Sequence, residues 1–213
     1  MRTINISDVK VKWLGHDSFK FDYNGHIMYI DPYEVKEHEK ADIILITHGH
    51  YDHCSIADLK KLTKHDTLIL TTPDTTSKLS GKIHSGILKL AKPGFKISHL
   101  GVEIEAVPAY NINKPFHPKE NEWVGYIFEI NKMKFYHAGD TDFIPEMANI
   151  SCDVAFLPVS GTYVMNAEEA VQAAKKIMPK VAIPMHYGKI VGEKKNADKF
   201  KELCTFCRVE IMD

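Results

Sequence analysis

The stretch Ile43-Ile44-Leu45-Ile46-Thr47-His48-Gly49-His50-Tyr51-Asp52-His53 decides how the rest of this sequence is read. Its first four residues are a short continuous apolar run, the pattern of a strand buried on both faces. The residues that follow carry four side chains of ligand type in the order H-x-H-x-D-H. A strand carried on through His48 and His50 puts both imidazoles on one face. Gly49 lets the chain turn sharply between them. Asp52 and His53 then point elsewhere, just ahead of a helix. Such a layout can feed two adjacent metal ions, His48 and His50 to one, Asp52 and His53 to the other. Nitrogen and carboxylate ligands suit Zn²⁺ and leave Mn²⁺ and Fe²⁺ open.

Outward from this segment, short apolar runs alternate with turn residues. Residues 9–14, 19–23 and 27–30 read as strands, the last two joined at Asn24-Gly25. Ser55 and Asp58 resemble a capping box that opens a helix through Leu62, and residues 67–70 return as a strand. The second half repeats the theme. Strands are expected at 95–98, 102–107, 124–130, 133–136, 154–157 and 181–185, with a long polar loop over 108–122. Asn166, with Glu169 three residues on, caps a helix that Pro179 ends, and 197–203 is a last helix. Meanders followed by strand–helix alternation, in both halves, point to two packed sheets with helices outside.

The chain has 213 residues, enough for one domain over its whole length with a sizeable core. With 27 basic and 28 acidic residues, the charge balance gives no case for a dedicated nucleic-acid surface or an acidic membrane. No apolar run approaches a membrane span. Residues 1–8 lack the apolar core of a secretory signal, and four scattered cysteines fit a reducing cytoplasm. Cys204 and Cys207 form a lone C-x-x-C, read as ordinary thiols. Of the 12 histidines, His26, His38, His65, His84 and His99 lie in lysine- and turn-rich surroundings and are expected at the surface.

The H-x-H-x-D-H segment after a core strand resembles the metallo-β-lactamase superfamily. Trp13-Leu14-Gly15-His16 and Ile30-Asp31-Pro32 look like the leading motifs of its simple metal-dependent hydrolases, relatives of ascorbate-phosphate lactonases and of the phospholipase that releases N-acylethanolamines. The resemblance covers residues 13–188 and implies a four-layer αββα sandwich. It implies a metal-bridging carboxylate at Asp140, in Ala138-Gly139-Asp140-Thr141, and a last histidine ligand at His186, shared with Asp52 and His53. It further implies that His16 faces the substrate or supports the site, that Asp31 accepts the second N–H of a ligand imidazole, and that His137 supports the site. The sequence departs from the family where a third histidine of the first metal is expected. That place reads Val107-Pro108-Ala109-Tyr110-Asn111. His117 is the expected substitute, with Tyr110 lining the pocket as a hydrogen-bond donor.

The function implied is hydrolysis of a small ester, lactone or phosphodiester by a hydroxide shared between two zinc ions, with Asp52, Asp140, His16 and Tyr110 in the catalytic machinery. The rivals are a nuclease of the same superfamily and a catalytically silent metal-binding module. A redox di-iron role is disfavoured, because members with oxygen chemistry typically carry Glu where His50 stands.

Overall fold

The computed structural model describes residues 3–83 and 86–212, so the expectation for His84 lies outside the described residues. Among them, β1 (Thr3–Ile6), β2 (Val9–Gly15), β3 (Ser18–Tyr23), β4 (His26–Ile30), β5 (Ile43–Leu45), β6 (Leu68–Thr71) and β7 (Ile87–Leu90) form one sheet in sequence order. A second sheet, also in sequence order, holds β8 (Lys96–His99), β9 (Val102–Pro108), β10 (Val124–Ile130), β11 (Met133–His137), β12 (Val154–Pro158), β13 (Val181–Met185) and β14 (Arg208–Val209). In each sheet the first four strands pair antiparallel and every later strand is added parallel. The halves therefore repeat one another strand for strand.

The sheets pack face to face. Phe21 of β3 meets Phe128, Phe135 and Phe156 of the other sheet, with ring centroids 5.0, 5.7 and 5.8 Å apart. Each such ring is fully buried and contributes about 1.5–3 kcal/mol by leaving water. The run at β5 is apolar throughout because it is covered on both sides. Ile43 and Leu45 face the inter-sheet core, whereas Ile44 and Ile46 face Leu59 and Leu62 of α1 (Ile56–Leu62). A short α2 (Thr76–Leu79) adds Leu79 to that outer cluster. On the far side, α3 (Ala167–Ile177) and α4 (Lys194–Leu203) cover the second sheet with Ala170, Ala173, Ala174, Ala197 and Phe200. The result is the αββα sandwich.

Local signals explain the helix ends. Asn166 and Glu169 make both bonds of a capping box, and Met178 closes α3 in a left-handed turn at φ 56°. At α1 only half the box forms. Ser55 caps Asp58, but the Asp58 carboxylate accepts from the backbone N–H groups of Glu34 and Val35 at 2.8 and 3.2 Å. Strands β1, β7 and β14 were not expected. All three are sheet edges, and β7 is exposed along its whole length, so burial imposes no pattern on it. His38 and His65 are exposed, while His26 and His99 are only half so. No described helix is long and apolar enough to cross a membrane.

Four bonds stitch the two sheets together at one end. Tyr126 donates its hydroxyl to the Ile46 carbonyl (2.9 Å), and Val124 N–H donates to the Thr47 carbonyl (3.1 Å). His186 N–H donates to the His16 carbonyl (3.2 Å), and His137 Nε2–H donates to the Asp17 carbonyl (3.0 Å). That end carries the exits of β4, β5, β11 and β13.

Candidate metal centre

Ligands in open α/β sheets gather where parallel strands end, and the chemistry-bearing residues lie there. Asp31 follows β4, His48 follows β5, Asp140 follows β11 and His186 follows β13. His16 and Asp17 form the turn between β2 and β3. Three of these non-glycine residues hold left-handed backbone, His16 at φ 54°, Asp31 at 43° and His186 at 59°. Such conformations cost energy and persist where surrounding structure fixes them. Gly139 at φ 63° sets up Asp140; a Cβ there would stand 2.9 Å from the Val124 carbonyl.

Around Asp140 the side chains fall into two sets of converging ligand atoms. The first is His48, His50, His117 and Asp140, whose ligand atoms lie within 4.8 Å of one another. His48 Nε2 is 3.0 Å from His50 Nδ1 and 4.0 Å from Asp140 Oδ2; His117 Nε2 is 3.2 Å from that same oxygen. The second set joins His53, His186, Asp140 and Asp17 within the same limit, and His16 groups with His53 and His186. Here His186 Nε2 lies 3.3 Å from Asp140 Oδ2, and His53 Nε2 lies 3.5 Å from Asp140 Oδ1. Asp140 thus faces both sets. Asp52 stands beside them, its Oδ2 bonded to His16 Nε2 at 3.1 Å and 3.7 Å from His53 Nε2.

The far nitrogens of His53, His48, His186 and His117 are committed elsewhere, which orients each ring with its near nitrogen inward. His53 Nδ1–H donates to Asp31 Oδ2 (2.8 Å). His48 Nδ1–H donates to Thr47 Oγ1 (3.0 Å), which donates in turn to the same Asp31 oxygen (2.6 Å). One carboxylate therefore orients a histidine of each set. His186 Nδ1 pairs with Ser160 Oγ at 2.8 Å. His117 Nδ1 sits 3.0 Å from Asn111 Oδ1 and 3.2 Å from the Tyr163 carbonyl.

Charge follows from this crowding. Burial pushes the Asp140 carboxyl up, but His186, His53 and His117 outweigh it and hold it well below the usual carboxylate range. Burial pulls His53 down, yet Asp140 and Asp31 together raise it well above an ordinary histidine. Burial, reinforced by the neighbouring imidazoles, keeps His48 and His50 low and therefore neutral, the state that binds a metal. Asp52 is held low because His16 and His53 outweigh its burial.

The residues present fit divalent ions. His53 Nε2, His117 Nε2 and Asp140 Oδ1 are fully buried and have no hydrogen-bond partner. Unpaired buried polar atoms are costly and rare; cations held on the two sides of Asp140 would satisfy all three. His48, His50, His117 and Asp140 would hold one ion, and His53, His186 and Asp140 the core of a second. A cavity of about 230 Å³ opens over the cluster, floored by His50, Asp52, His117 and Asp140 and walled by Tyr51, Phe116, Tyr163 and Ile190.

One expectation needs correction, and that for His16 narrows to its supporting half. Tyr110 does not reach this cavity: its hydroxyl donates to Glu146 Oε2 at 2.8 Å and accepts from Lys119, on the outer side of the loop. Its backbone, paired with Thr141, directs the chain so that the next residue, Asn111, orients His117. His16 is fully buried behind Asp52 and does not line the cavity, so it positions Asp52 instead of meeting substrate. His137 supports the site from beneath, donating through Nε2 to the Asp17 carbonyl at 3.0 Å. Asp17, Thr47, Asn111 and Ser160 were missed. The first three adjoin residues that were singled out, whereas Ser160 carries no local signal.

The Beta-lactamase superfamily domain model matches residues 10–186. The chain is 33% identical over 209 residues to a UPF0173 metal-dependent hydrolase of Thermoplasma volcanium, covering 92% of this chain and 91% of that protein. It superposes on a Parabacteroides distasonis structure, named provisionally as a metal-dependent hydrolase, with TM-score 0.86, 32% identity, and 99% and 97% of the two chains covered. Igni18, a metallo hydrolase from the archaeon Ignicoccus hospitalis, follows with TM-score 0.78 and 27% identity, over 96% of this chain and 95% of that one. The chain belongs to the beta-lactamase superfamily and, within it, to the UPF0173 metal-dependent hydrolases.

Proposed function

We propose that this chain is a dinuclear hydrolase, most simply of zinc, acting in the cytoplasm on a small neutral ester or lactone. The observation that carries the reading is the convergence of two histidine sets on Asp140, with the inward atoms of His53, His117 and Asp140 buried and unpartnered. Two ions held there supply Lewis acidity and lower the pKa of water towards 7. The chain's own residues do the rest. Asp31, Ser160 and Asn111 lock the imidazoles, so no side chain has to reorganise during the reaction. Asp52 is the carboxylate that faces the cavity beside this cluster. Its Oδ2, tethered to His16, is placed to take the proton released as water attacks.

The cavity walls choose among the substrates that the ligand set allows. Tyr51, Phe116, Tyr163 and Ile190 offer mainly apolar surface, and Phe116 packs edge-on against Tyr163 at 4.6 Å. Such walls suit an acyl or lactone body better than a charged phosphodiester backbone, and thus disfavour the nuclease reading. The test is elemental analysis of purified protein, followed by turnover of matched ester, lactone and phosphodiester panels by wild type and Asp140→Ala. Support would be about two ions per chain and ester or lactone hydrolysis that Asp140→Ala abolishes. No bound metal and no zinc uptake would overturn the reading.

A further inference from the structure

The Asp17 carboxylate takes no part in the hydrolysis proposed above, yet it is among the least comfortable side chains in the protein. It is wholly buried, and neither carboxylate oxygen has a hydrogen-bond partner. An isolated buried carboxylate is strongly unfavourable, and buried charges are normally paired or bound to metal. The backbone leaves it no escape. Gly15 at φ 102° and His16 at φ 54° turn the chain inward, and the Asp17 carbonyl is held by His137 Nε2 at 3.0 Å. One of its oxygens lies within 4.8 Å of the ligand atoms of His53, Asp140 and His186 together.

From this juxtaposition we propose that Asp17 is a further metal ligand, serving the ion on the His53–His186 side. The inference rests on the dinuclear reading above and deepens it, because it makes the two halves of the centre chemically unequal. The His48–His50–His117 half offers three imidazoles and one shared carboxylate. The other half offers two imidazoles, Asp17 and Asp140, with Asp52 beside His53. Carboxylate-rich sites suit harder ions such as Mn²⁺, whereas imidazole-rich sites suit zinc. The four carboxylates Asp17, Asp31, Asp52 and Asp140 also balance the charge of two divalent ions, which explains how this end of the sandwich tolerates so many acids, three of them fully or almost fully buried.

The experiment compares wild type with Asp17→Asn and Asp17→Ser, each metal-free and then titrated with Zn²⁺ or Mn²⁺ against a competing chelator, with thermal unfolding followed in parallel. The expected result has two parts. Metal-free variants unfold at or above the wild-type temperature, because an unpartnered buried acid has gone. Affinity for one of the two ions then falls at least tenfold, more for Mn²⁺ than for Zn²⁺, while the other ion is held as before. Metal-free variants less stable than wild type that keep both ions at wild-type affinity would overturn the proposal and make Asp17 a packing residue. If wild type itself takes up no metal, the dinuclear reading fails; if wild type takes two ions and the variants match it, only the role of Asp17 fails.

Discussion

Replacing Asp31 with asparagine changes one atom and disturbs both halves of the centre. The Asp31 carboxylate accepts three bonds: Thr47 N–H at 2.8 Å on Oδ1, and Thr47 Oγ1–H at 2.6 Å and His53 Nδ1–H at 2.8 Å on Oδ2. An amide has one oxygen and one NH₂ group. If the NH₂ takes the Oδ1 place, it opposes the Thr47 N–H, donor against donor. If it takes the Oδ2 place, His53 can meet it only by moving its proton to Nε2, the nitrogen that faces Asp140. The first arrangement leaves a buried donor unpaired, at about 1–3 kcal/mol. For a chain of this size that lowers the unfolding temperature by roughly 2–12 °C. The second also opposes the Thr47 Oγ1–H, which must turn to another acceptor, and it disables the inward nitrogen of His53. Losing such an orienting partner typically costs about 10–100-fold in metal affinity. Asp31→Asn should therefore show one loss or the other, read by chelator competition at pH 7 and by calorimetry of the metal-free protein. A variant with wild-type affinity for both ions and an unchanged unfolding temperature would refute the relay from Asp31 to His53 and His48.

Other substitutions test separate parts of the account. His117→Ala should weaken the ion held by His48 and His50 at least tenfold and spare the other, as chelator titration would show; equal loss of both ions would contradict two distinct sets. Tyr110→Phe should keep full metal content and turnover, with a stability loss under about 1 kcal/mol, because its hydroxyl serves only partly exposed bonds with Glu146 and Lys119; loss of an ion would return the phenol to the site. Asp42 accepts from Ile27 N–H at 2.7 Å and from Lys64 at 2.6 Å, and these bonds outweigh its burial to hold its carboxyl below the usual range. A depressed carboxyl stabilises the fold above its unfolded pKa of about 4 and loses that contribution as pH falls through the folded value. Asp42→Asn should thus cost about 1 kcal/mol at pH 7 and flatten the decline of stability between about pH 5 and pH 3, measured by urea unfolding.

How far the sequence carried this reading depended on where the physics was local. The apolar run at 43–46 is legible because a strand covered on both faces must be apolar throughout, and the Asn166–Glu169 cap because a helix N-terminus needs those acceptors. The edge strand Ile87–Leu90 left no such mark, since nothing packs on it in a regular way. The H-x-H-x-D-H segment points to metal chemistry because one strand exit supplies several side chains of ligand type. Asp17 and Ser160 reach the same centre from the β2–β3 turn and the end of β12, and only the pairing of the two sheets brings them there. Tyr110 misled because its register matches a ligand position, while the direction of its side chain is set by Glu146 and Lys119 on another surface.

The central claim, two ions sharing Asp140, is tested most directly by anomalous difference density at the zinc edge from zinc-soaked crystals. The account predicts two peaks roughly 3.5–4 Å apart, one beside His48, His50 and His117, the other beside His53 and His186, with the Asp140 carboxylate between them. A single peak, or two peaks with Asp140 touching neither, would contradict it.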